Sequence, residues 1–441
     1  MKIFLIGAGQ VGTTIVQALH GEHELTVFDL DPSRLAPVAN RYDVSTIEGN
    51  GASRRVLFEA GIASADLLIA CTSRDEINLV AAMITKAVAP RTTTIVRTTN
   101  PEYLEVWREG QLDVDFIVSS ELETANAIVR TIGVPAARHT DVFAEGQVQL
   151  VEFDISQGCD SRILNVPLRE ARSPADSKIA GLIRDEKTIL PGGDDEIRVG
   201  DRVVVIGSPQ AAQAWGELVV PGSGKVEDVV IFGAGRAGTA IARALIEQGI
   251  GVRLIEASPQ QARVVAEELP RARVYHSTGL EPDFLERERI GDAQVAIFAM
   301  RDDMKNHYAA TLAKLHGIGF TIAVVHDAHA IEVLERAGVN VTVDPRQVTA
   351  EEIVRFAHDP RTQQIAMLEG DRFEVLDITT RAGSDYAGKK FKEMPIRGAL
   401  IGAIVRDGTA IFPHGEDVLR AGDRAIIFTE SSRVKDVERA L

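Results

Sequence analysis

Three glycines spaced Gly7-x-Gly9-x-x-Gly12 stand directly behind an apolar run at 3–6 and open a helical pattern around residues 13–19. Glycine permits a tight turn and lets a ligand approach the backbone. The helix N-terminus that follows turns donors and a positive dipole end toward a phosphate. Asp29 ends the next apolar run, where a carboxylate accepts the hydroxyls of an adenosine ribose. An acid there, in place of a basic residue, disfavours a 2′-phosphate, so NAD is expected over NADP. Further along, Asn50 in Gly49-Asn50-Gly51 can approach an adenine, Thr72 and Ser73 can touch phosphate or ribose, and Arg97 can offset phosphate charge. The bland reading of the same glycines is a strand-to-helix turn that needs them for packing alone.

The chemistry occurs twice. Gly233-Ala234-Gly235-Arg236-Ala237-Gly238, with Glu256 as the acid, repeats the first loop. Other positions depart: Met300 aligns with Thr72, Arg301 with Ser73 and His326 with Arg97, while Ser277-Thr278-Gly279 replaces Gly49-Asn50-Gly51. Arg236 stands where the first copy has Gln10. It either places a cation near the phosphates, favouring ADP or ATP, or is an exposed arginine at a helix start. Unequal ligands are therefore expected in the two halves.

The elements that must position these residues also repeat. Apolar runs at 3–6, 25–29, 45–48, 67–71, 94–98 and 116–118 alternate with helical patterns, which implies right-handed βαβ units and a parallel sheet covered on both faces. Ser120 with Glu123 reads as a capping box ahead of a helical face of Leu122, Ala125, Ile128, Val129 and Ile132, closed by Gly133 and Pro135. Thr349 with Glu352 reads likewise, ahead of Ile353, Phe356 and Pro360, on a helix that can leave its sheet and pack on a neighbour. A smaller β-rich module follows each time. Arg184-Asp185, Pro191 and Gly200-Asp201-Arg202 return as Arg406-Asp407, Pro413 and Gly422-Asp423-Arg424. The Gly-Asp pairs are turn signals before apolar strands. Pro221-Gly222-Ser223-Gly224 reads as a linker. The fold class expected is α/β: two Rossmann-like doubly wound parallel-sheet domains, at 1–140 and 225–365, each followed by a small β-rich α+β domain, at 141–221 and 366–441.

Composition narrows the functions. The 441 residues include 48 Lys+Arg against 64 Asp+Glu, a formal charge of −16, which argues against nucleic acid as a partner. No apolar run reaches the length of about 18 residues that suggests a membrane span. Two cysteines, Cys71 and Cys159, are too few for a disulfide framework or a four-thiolate zinc site, and the start on a strand without a leader pattern points to the cytoplasm. Hydride transfer needs a general acid or base beside the nicotinamide, and no candidate stands out; Cys71 reads as a small core residue. No catalytic and no metal residue is assigned. His326 and His329 beside Asp327, and the acids Asp194, Asp195, Glu196, Glu416 and Asp417, read as surface groups, with a divalent cation as the alternative for the acids.

Taken together, Ile6-Gly-Ala-Gly-Gln-Val-Gly12, the strand ending in Asp29, Glu48-Gly-Asn-Gly51, Thr72-Ser-Arg-Asp75 with Asn78, Asn100-Pro-Glu-Tyr103 and the twice-occurring Arg-Asp…Gly-Asp-Arg pattern resemble the TrkA family. These are regulatory subunits of bacterial Trk-type potassium uptake systems, built from tandem RCK (KTN, NAD-binding) domains. The resemblance implies a non-enzymatic, cytoplasmic protein, peripheral on the inner face of the membrane. It further implies a homo-oligomeric, tetrameric gating ring that binds NAD(H) or ATP/ADP beneath a membrane-embedded, TrkH-like potassium transporter subunit. It adds Ala8, Gln10 and Val11 to the nucleotide contacts and, in the second copy, Ala234 and Ala237. A soluble NAD-dependent oxidoreductase is the competing reading, and a cation-gated assembly a third.

Overall fold

The computed structural model describes the chain apart from residues 22, 135, 186, 356–361, 369–372 and 394–397, and describes 362–368 by backbone alone. Phe356, Pro360 and Pro135, named above, lie outside the described residues. The first parallel sheet consists of β1 (Lys2–Ile6), β2 (Glu24–Asp29), β3 (Ser45–Glu48), β4 (Leu67–Ala70), β5 (Thr93–Thr98) and β6 (Phe116–Ser119), in the order β3-β2-β1-β4-β5-β6. Its central strands read KIFLI and LLIA because helices cover both faces, leaving little polar surface to alternate with. The Phe4 and Phe28 rings, 5.4 Å apart, anchor one side of that core. The second parallel sheet repeats the winding with β12 (Asp228–Phe232), β13 (Gly251–Glu256), β14 (Arg273–His276), β15 (Val295–Phe298), β16 (Phe320–Val324) and β17 (Val341–Val343), in the order β14-β13-β12-β15-β16-β17. Both have the strand order of a doubly wound fold, with the switch point beside the first strand.

Between them in sequence lie β7 (Ala137–Phe143), β8 (Val148–Asp154), β9 (Ser177–Arg184), β10 (Lys187–Ile189) and β11 (Arg202–Gly207), an antiparallel sheet ordered β10-β9-β11-β8-β7. The last sheet, ordered β18-β19-β22-β20-β21, contains β18 (Thr362–Leu368), β19 (Phe373–Thr379), β20 (Ala399–Arg406), β21 (Thr409–Ile411) and β22 (Arg424–Glu430). Strand β7 was not expected. Its sequence ARHTDVF lacks the apolar alternation that marks its neighbours, and it pairs with β8 all the same.

Contacts divide the chain into two units, one of residues 1–125, 325–328 and 343–358 and one of 126–324, 329–342 and 359–441. In the first, helix Pro345–Arg355, drawn from the second half of the sequence, packs on helix Gln10–Leu19 and on β6. Neither Ser120 nor Thr349 stands at an N-cap, since both fall within their helices. Because β6 runs to Ser119, it is the Ser119 hydroxyl that accepts from the Leu122 N–H, at 3.3 Å. Helix Pro345–Arg355 starts after Asp344, whose carboxylate accepts from the Arg346 N–H at 2.8 Å, so Thr349 sits within the helix and not at its cap. Ser120 and Thr349 are both buried and turn their hydroxyls elsewhere.

In the second unit the two antiparallel sheets share one core, in which Phe143, Leu150, Val204 and Ile206 meet Phe373, Val375, Val405 and Phe428. Two glycines allow the approach: a Cβ on Gly402 would lie 2.7 Å from the Ile206 side chain, and one on Gly181 3.3 Å from the Phe428 ring. The Gln147 amide fastens the edge, donating to the Gly408 carbonyl at 2.7 Å and accepting from the Ala410 N–H at 2.9 Å.

The repeated Arg-Asp…Gly-Asp-Arg pattern now has a cause. Arg184 clasps Asp201 through both guanidinium arms at 2.6 Å, and Arg406 clasps Asp423 at 2.9 and 2.7 Å. Each aspartate also accepts a backbone N–H, from Arg198 or Arg420, so the pair ties a strand to the turn that precedes the next one. Asp423 is 3% exposed. Burial alone would raise its pKa, but the Arg406 side chain and the Arg420 N–H outweigh it and hold the carboxyl below the ordinary range. A carboxyl with a depressed native pKa stabilises above its unfolded pKa of about 3.9 and loses that contribution as pH falls through the native value. Asp423→Asn is therefore expected to cost about 3 kcal/mol at pH 7, the scale for breaking a buried ion pair. Thermal unfolding followed from pH 7 to pH 3 should show the gap between variant and parent closing toward the acid end.

Candidate functional site

In both parallel sheets a carboxylate at the end of the second strand holds the glycine loop. Asp29 accepts the Ala8 N–H at 2.8 Å and the Asp31 N–H at 2.9 Å; Glu256 accepts the Ala234 N–H and the Ser258 N–H, each at 2.8 Å. Asp29, expected at a loop tip as a ribose acceptor, fixes the loop itself. Each carboxylate retains further lone pairs for hydroxyl donors.

The three glycines of each loop have different jobs. Gly7 and Gly233 take φ of +108° and +100°, which side chains rarely adopt, and lie against the loop after the fourth strand: a Cβ on Gly7 would be 3.1 Å from Thr72 N. A Cβ on Gly12 or Gly238 would fall 1.9 Å from the carbonyl oxygen of Gly7 or Gly233, so the third glycine is demanded by packing. The middle glycines are demanded by nothing within the protein, since a Cβ on Gly9 or Gly235 would meet no atom within 4 Å. They border open space at a helix start. Helices Gln10–Leu19 and Arg236–Glu247 carry no side-chain cap and no acid in the first turn, whereas Asp31, Asn100, Ser208, Ser258 and Asp302 cap theirs. The uncapped first turn and the open space beside the middle glycine suit a phosphate, which would meet the first-turn N–H groups and the positive dipole end.

Around the first loop the structure gathers most of the expected residues. Thr72 follows β4, and its N–H and hydroxyl donate to Asn78 Oδ1 at 2.9 and 2.6 Å. Asn78, fully buried, returns its amide to the carbonyls of Thr72 and Arg97 at 3.1 and 3.0 Å and so locks the ends of β4 and β5 together. Arg97 donates through Nε to Ser120 Oγ at 2.9 Å and through Nη1 to the Thr72 carbonyl at 3.3 Å. Gln10, Asn50 and Ser73 are exposed on the same carboxyl edge, Asn50 accepting the Ala52 N–H at 2.9 Å, and Val11 is buried in the helix below the loop. Asp75, which entered the sequence reading only as the end of the Thr72-Ser-Arg-Asp75 motif, accepts the N–H groups of Thr99 and Asn100 on its carboxylate, each at 2.9 Å, and so shapes the loop after β5.

The second copy keeps the loop, its acid and the asparagine lock, and differs at the positions of Thr72, Ser73 and Arg97. Asn306 repeats Asn78, accepting the Met300 N–H at 3.1 Å and donating to the carbonyls of Met300 and Val324 at 3.0 and 3.2 Å. An asparagine at the matching place was legible in the sequence and was missed. It also corrects one alignment. Ala70 pairs with Val96 and Phe298 with Ala323, so the counterpart of Arg97 is Val324, a buried apolar residue, and not His326. Ser277 and Thr278 donate to Glu281 at 3.1 and 2.7 Å, and the Thr278 hydroxyl in particular holds that carboxyl below its ordinary pKa. Gln261 reaches over to the Ala234 carbonyl at 2.9 Å, while Arg236 and Ala237 open the helix, the arginine exposed.

Cys71 lies under the first loop, its Sγ 3.6 Å from the Gly7 carbonyl, and burial pushes its thiol up to about 12, which removes it as a nucleophile near neutral pH. Among the described residues no group of three or more His, Cys, Asp or Glu could hold a metal ion, and no helix is long and apolar enough to cross a membrane. The acids considered for a cation are otherwise engaged: Glu416 pairs with Lys390 at 2.8 Å and with Lys392, Asp194 pairs with Arg169, and Asp195 and Asp417 accept backbone N–H groups.

Two doubly wound sheets with carboxylate-held glycine loops, each followed by a small antiparallel sheet, define a tandem RCK-type fold. The crystal structure of the GsuK RCK domain is 20% identical and matches with a TM-score of 0.58 over 100% of this chain and 94% of that one. The GsuK channel bound to NAD is 18% identical and matches with a TM-score of 0.58 over 100% of this chain and 78% of that one. The TrkA-N domain family matches residues 3–120 and 229–345, and the TrkA-C domain family 150–218 and 375–441. The Trk system potassium uptake protein TrkA homolog 1 of Methanosarcina mazei is 31% identical over 449 aligned positions, covering 100% of this chain and 99% of that protein. The chain belongs to the TrkA family of Trk potassium uptake proteins.

The differing roles of the glycines are testable by stability alone. Gly12→Ala should lower the unfolding free energy of the first sheet by about 1–3 kcal/mol, the range for overpacking, whereas Gly9→Ala should stay within about 1 kcal/mol of the parent. Urea unfolding monitored by circular dichroism checks both.

Proposed function

We propose that this chain is a cytoplasmic regulatory subunit, peripheral on the inner face of the membrane, of a potassium uptake system. In this reading it is no enzyme. It binds NAD(H) in its first half, takes NAD(H) or ADP/ATP in its second, and as a tetrameric ring gates a TrkH-like membrane-embedded potassium-transporting subunit. The four domains are those expected from the sequence, 1–140, 141–221, 225–365 and 366–441. The first site uses Gly7, Ala8, Gly9, Gln10, Val11, Gly12, Asp29, Asn50, Thr72, Ser73 and Arg97, and the second Gly233, Ala234, Gly235, Arg236, Ala237 and Glu256.

The observation that carries the reading is the pair of uncapped helix starts beside Gly9 and Gly235, each with an acid in place for a ribose. Membership in a family of potassium uptake proteins supplies the process, and a channel of the same fold solved with NAD adds support for the ligand class. Ligands act on a gate only through different affinities for its conformations, so a nucleotide-dependent change of ring shape is the expected mode of action. The halves are unequal because Val324 and Met300 replace Arg97 and Thr72, removing from the second crevice the cation and hydroxyl available to a second nucleoside.

Calorimetric titration with NADH, NAD, ADP and ATP, together with mass by light scattering, tests the proposal. Expected are a tetramer of about four times 47.7 kDa, NADH bound once per chain with high affinity, and a second, weaker or differently selective nucleotide site. A monomer that consumes NADH with a metabolite would contradict the proposal and favour the oxidoreductase. Two identical NADH sites would contradict the inequality of the halves.

A further inference from the structure

Arg97 is not held by the first half of the sequence alone. Its Nε donates to Ser120 Oγ at 2.9 Å, and Ser120 Oγ lies 3.0 Å from Thr349 Oγ1, on the helix contributed by residues 345–355. The Thr349 hydroxyl also contacts the Pro345 carbonyl four residues back. A carbonyl can only accept and a threonine has one hydroxyl proton, so the proton of Thr349 goes to Pro345. The hydrogen bond to Thr349 is then donated by Ser120. All four groups fall in order: the guanidinium N–H donates to Ser120, Ser120 to Thr349, and Thr349 to a main-chain carbonyl. Ser120 is 4% exposed and Thr349 fully buried, so water does not compete for these partners. Such a chain holds the serine lone pair turned toward Arg97, and bonds in series polarise one another.

We propose that Thr349 and Ser120 are positioning residues of the first nucleotide site, and that through them the second half of the sequence sets that site's selectivity for a dinucleotide over a nucleoside diphosphate. The inference rests on the nucleotide reading above. The glycine loop after β1 and the acid after β2 serve a pyrophosphate and one ribose. Arg97, ending β5 and donating to Thr72 after β4, stands across the switch point, on the side where the second nucleoside of a dinucleotide lies. A nucleoside diphosphate ends before reaching it. A guanidinium free to rotate pays conformational entropy on meeting a ligand; one already oriented by Ser120 does not. The second crevice has Val324 at this position and no such cation to orient.

The test is NADH and ADP affinity by calorimetry on the full chain and its variants, with thermal unfolding of each variant without ligand as the folding control. Arg97→Ala, Ser120→Ala and Thr349→Val should each weaken NADH binding at the first site by about tenfold or more, the scale of one hydrogen bond involving a charge, and change ADP binding less than about twofold. Thr349→Ser, which keeps the hydroxyl, should restore parental NADH affinity. In the Arg97→Ala background, Thr349→Val should have no further effect, because it acts only through the arginine. Thr349→Val with parental NADH affinity would overturn the proposal, as would equal losses for NADH and ADP, or losses that add in the double variant. If only Arg97→Ala weakens NADH, the nucleotide reading stands and the positioning role falls. A parent chain that binds neither nucleotide overturns both.

Discussion

The carboxylate that closes the second strand of each parallel sheet organises the rest of the candidate site. By accepting the N–H of Ala8 or Ala234, Asp29 and Glu256 hold a glycine loop in a conformation whose first residue has positive φ and whose third leaves no room for a side chain. A charge-assisted bond of this kind is stronger than a neutral one, and it fixes the loop before any ligand arrives. The helix that starts in the loop then presents its first N–H groups to open space. Donors left uncapped in this way are costly if buried and useful if a phosphate meets them.

From that constraint the two halves diverge by what surrounds the loop. Asn78 and Asn306 make the same bonds at the same place, so the crossing from the fourth to the fifth strand is built alike. The side chains that this frame presents differ: Thr72 and Arg97 in one half, Met300 and Val324 in the other. Duplication supplied the frame, and substitution at its rim supplied the difference in chemistry. In the first unit the frame also receives helix Pro345–Arg355 from the far half of the sequence, so one crevice is assembled from residues that lie 229 positions apart.

How much of this was legible in advance follows from the range of each interaction. The glycine loops, their acids and the apolar strands are local patterns with fixed spacing, and the structure has them where the periodicity placed them. The Arg-Asp pattern of the small sheets was legible as a repeat, but only its geometry explains it, as an ion pair that bridges a strand and a turn. Ser120 and Thr349 were misread as caps because a hydroxyl ahead of Glu has one local explanation, and their actual partners lie far off in sequence. Strand β7 escaped because its apolar residues do not alternate. Arg97 was aligned with His326 because counting along the sequence misses that β16 ends sooner after β15 than β5 does after β4, which only strand register reveals.

In the proposed function, nucleotide binds on the backbone of the first glycine loop, between Gly7 and the start of helix Gln10–Leu19. Amide hydrogen exchange, resolved to single residues and measured with and without saturating NADH, addresses it most directly. Slowed exchange at Gly9, Gln10 and Val11, with lesser change at the matching amides of the second loop, is the predicted result. Unchanged exchange at these three amides, with protection appearing elsewhere on binding, would contradict the account.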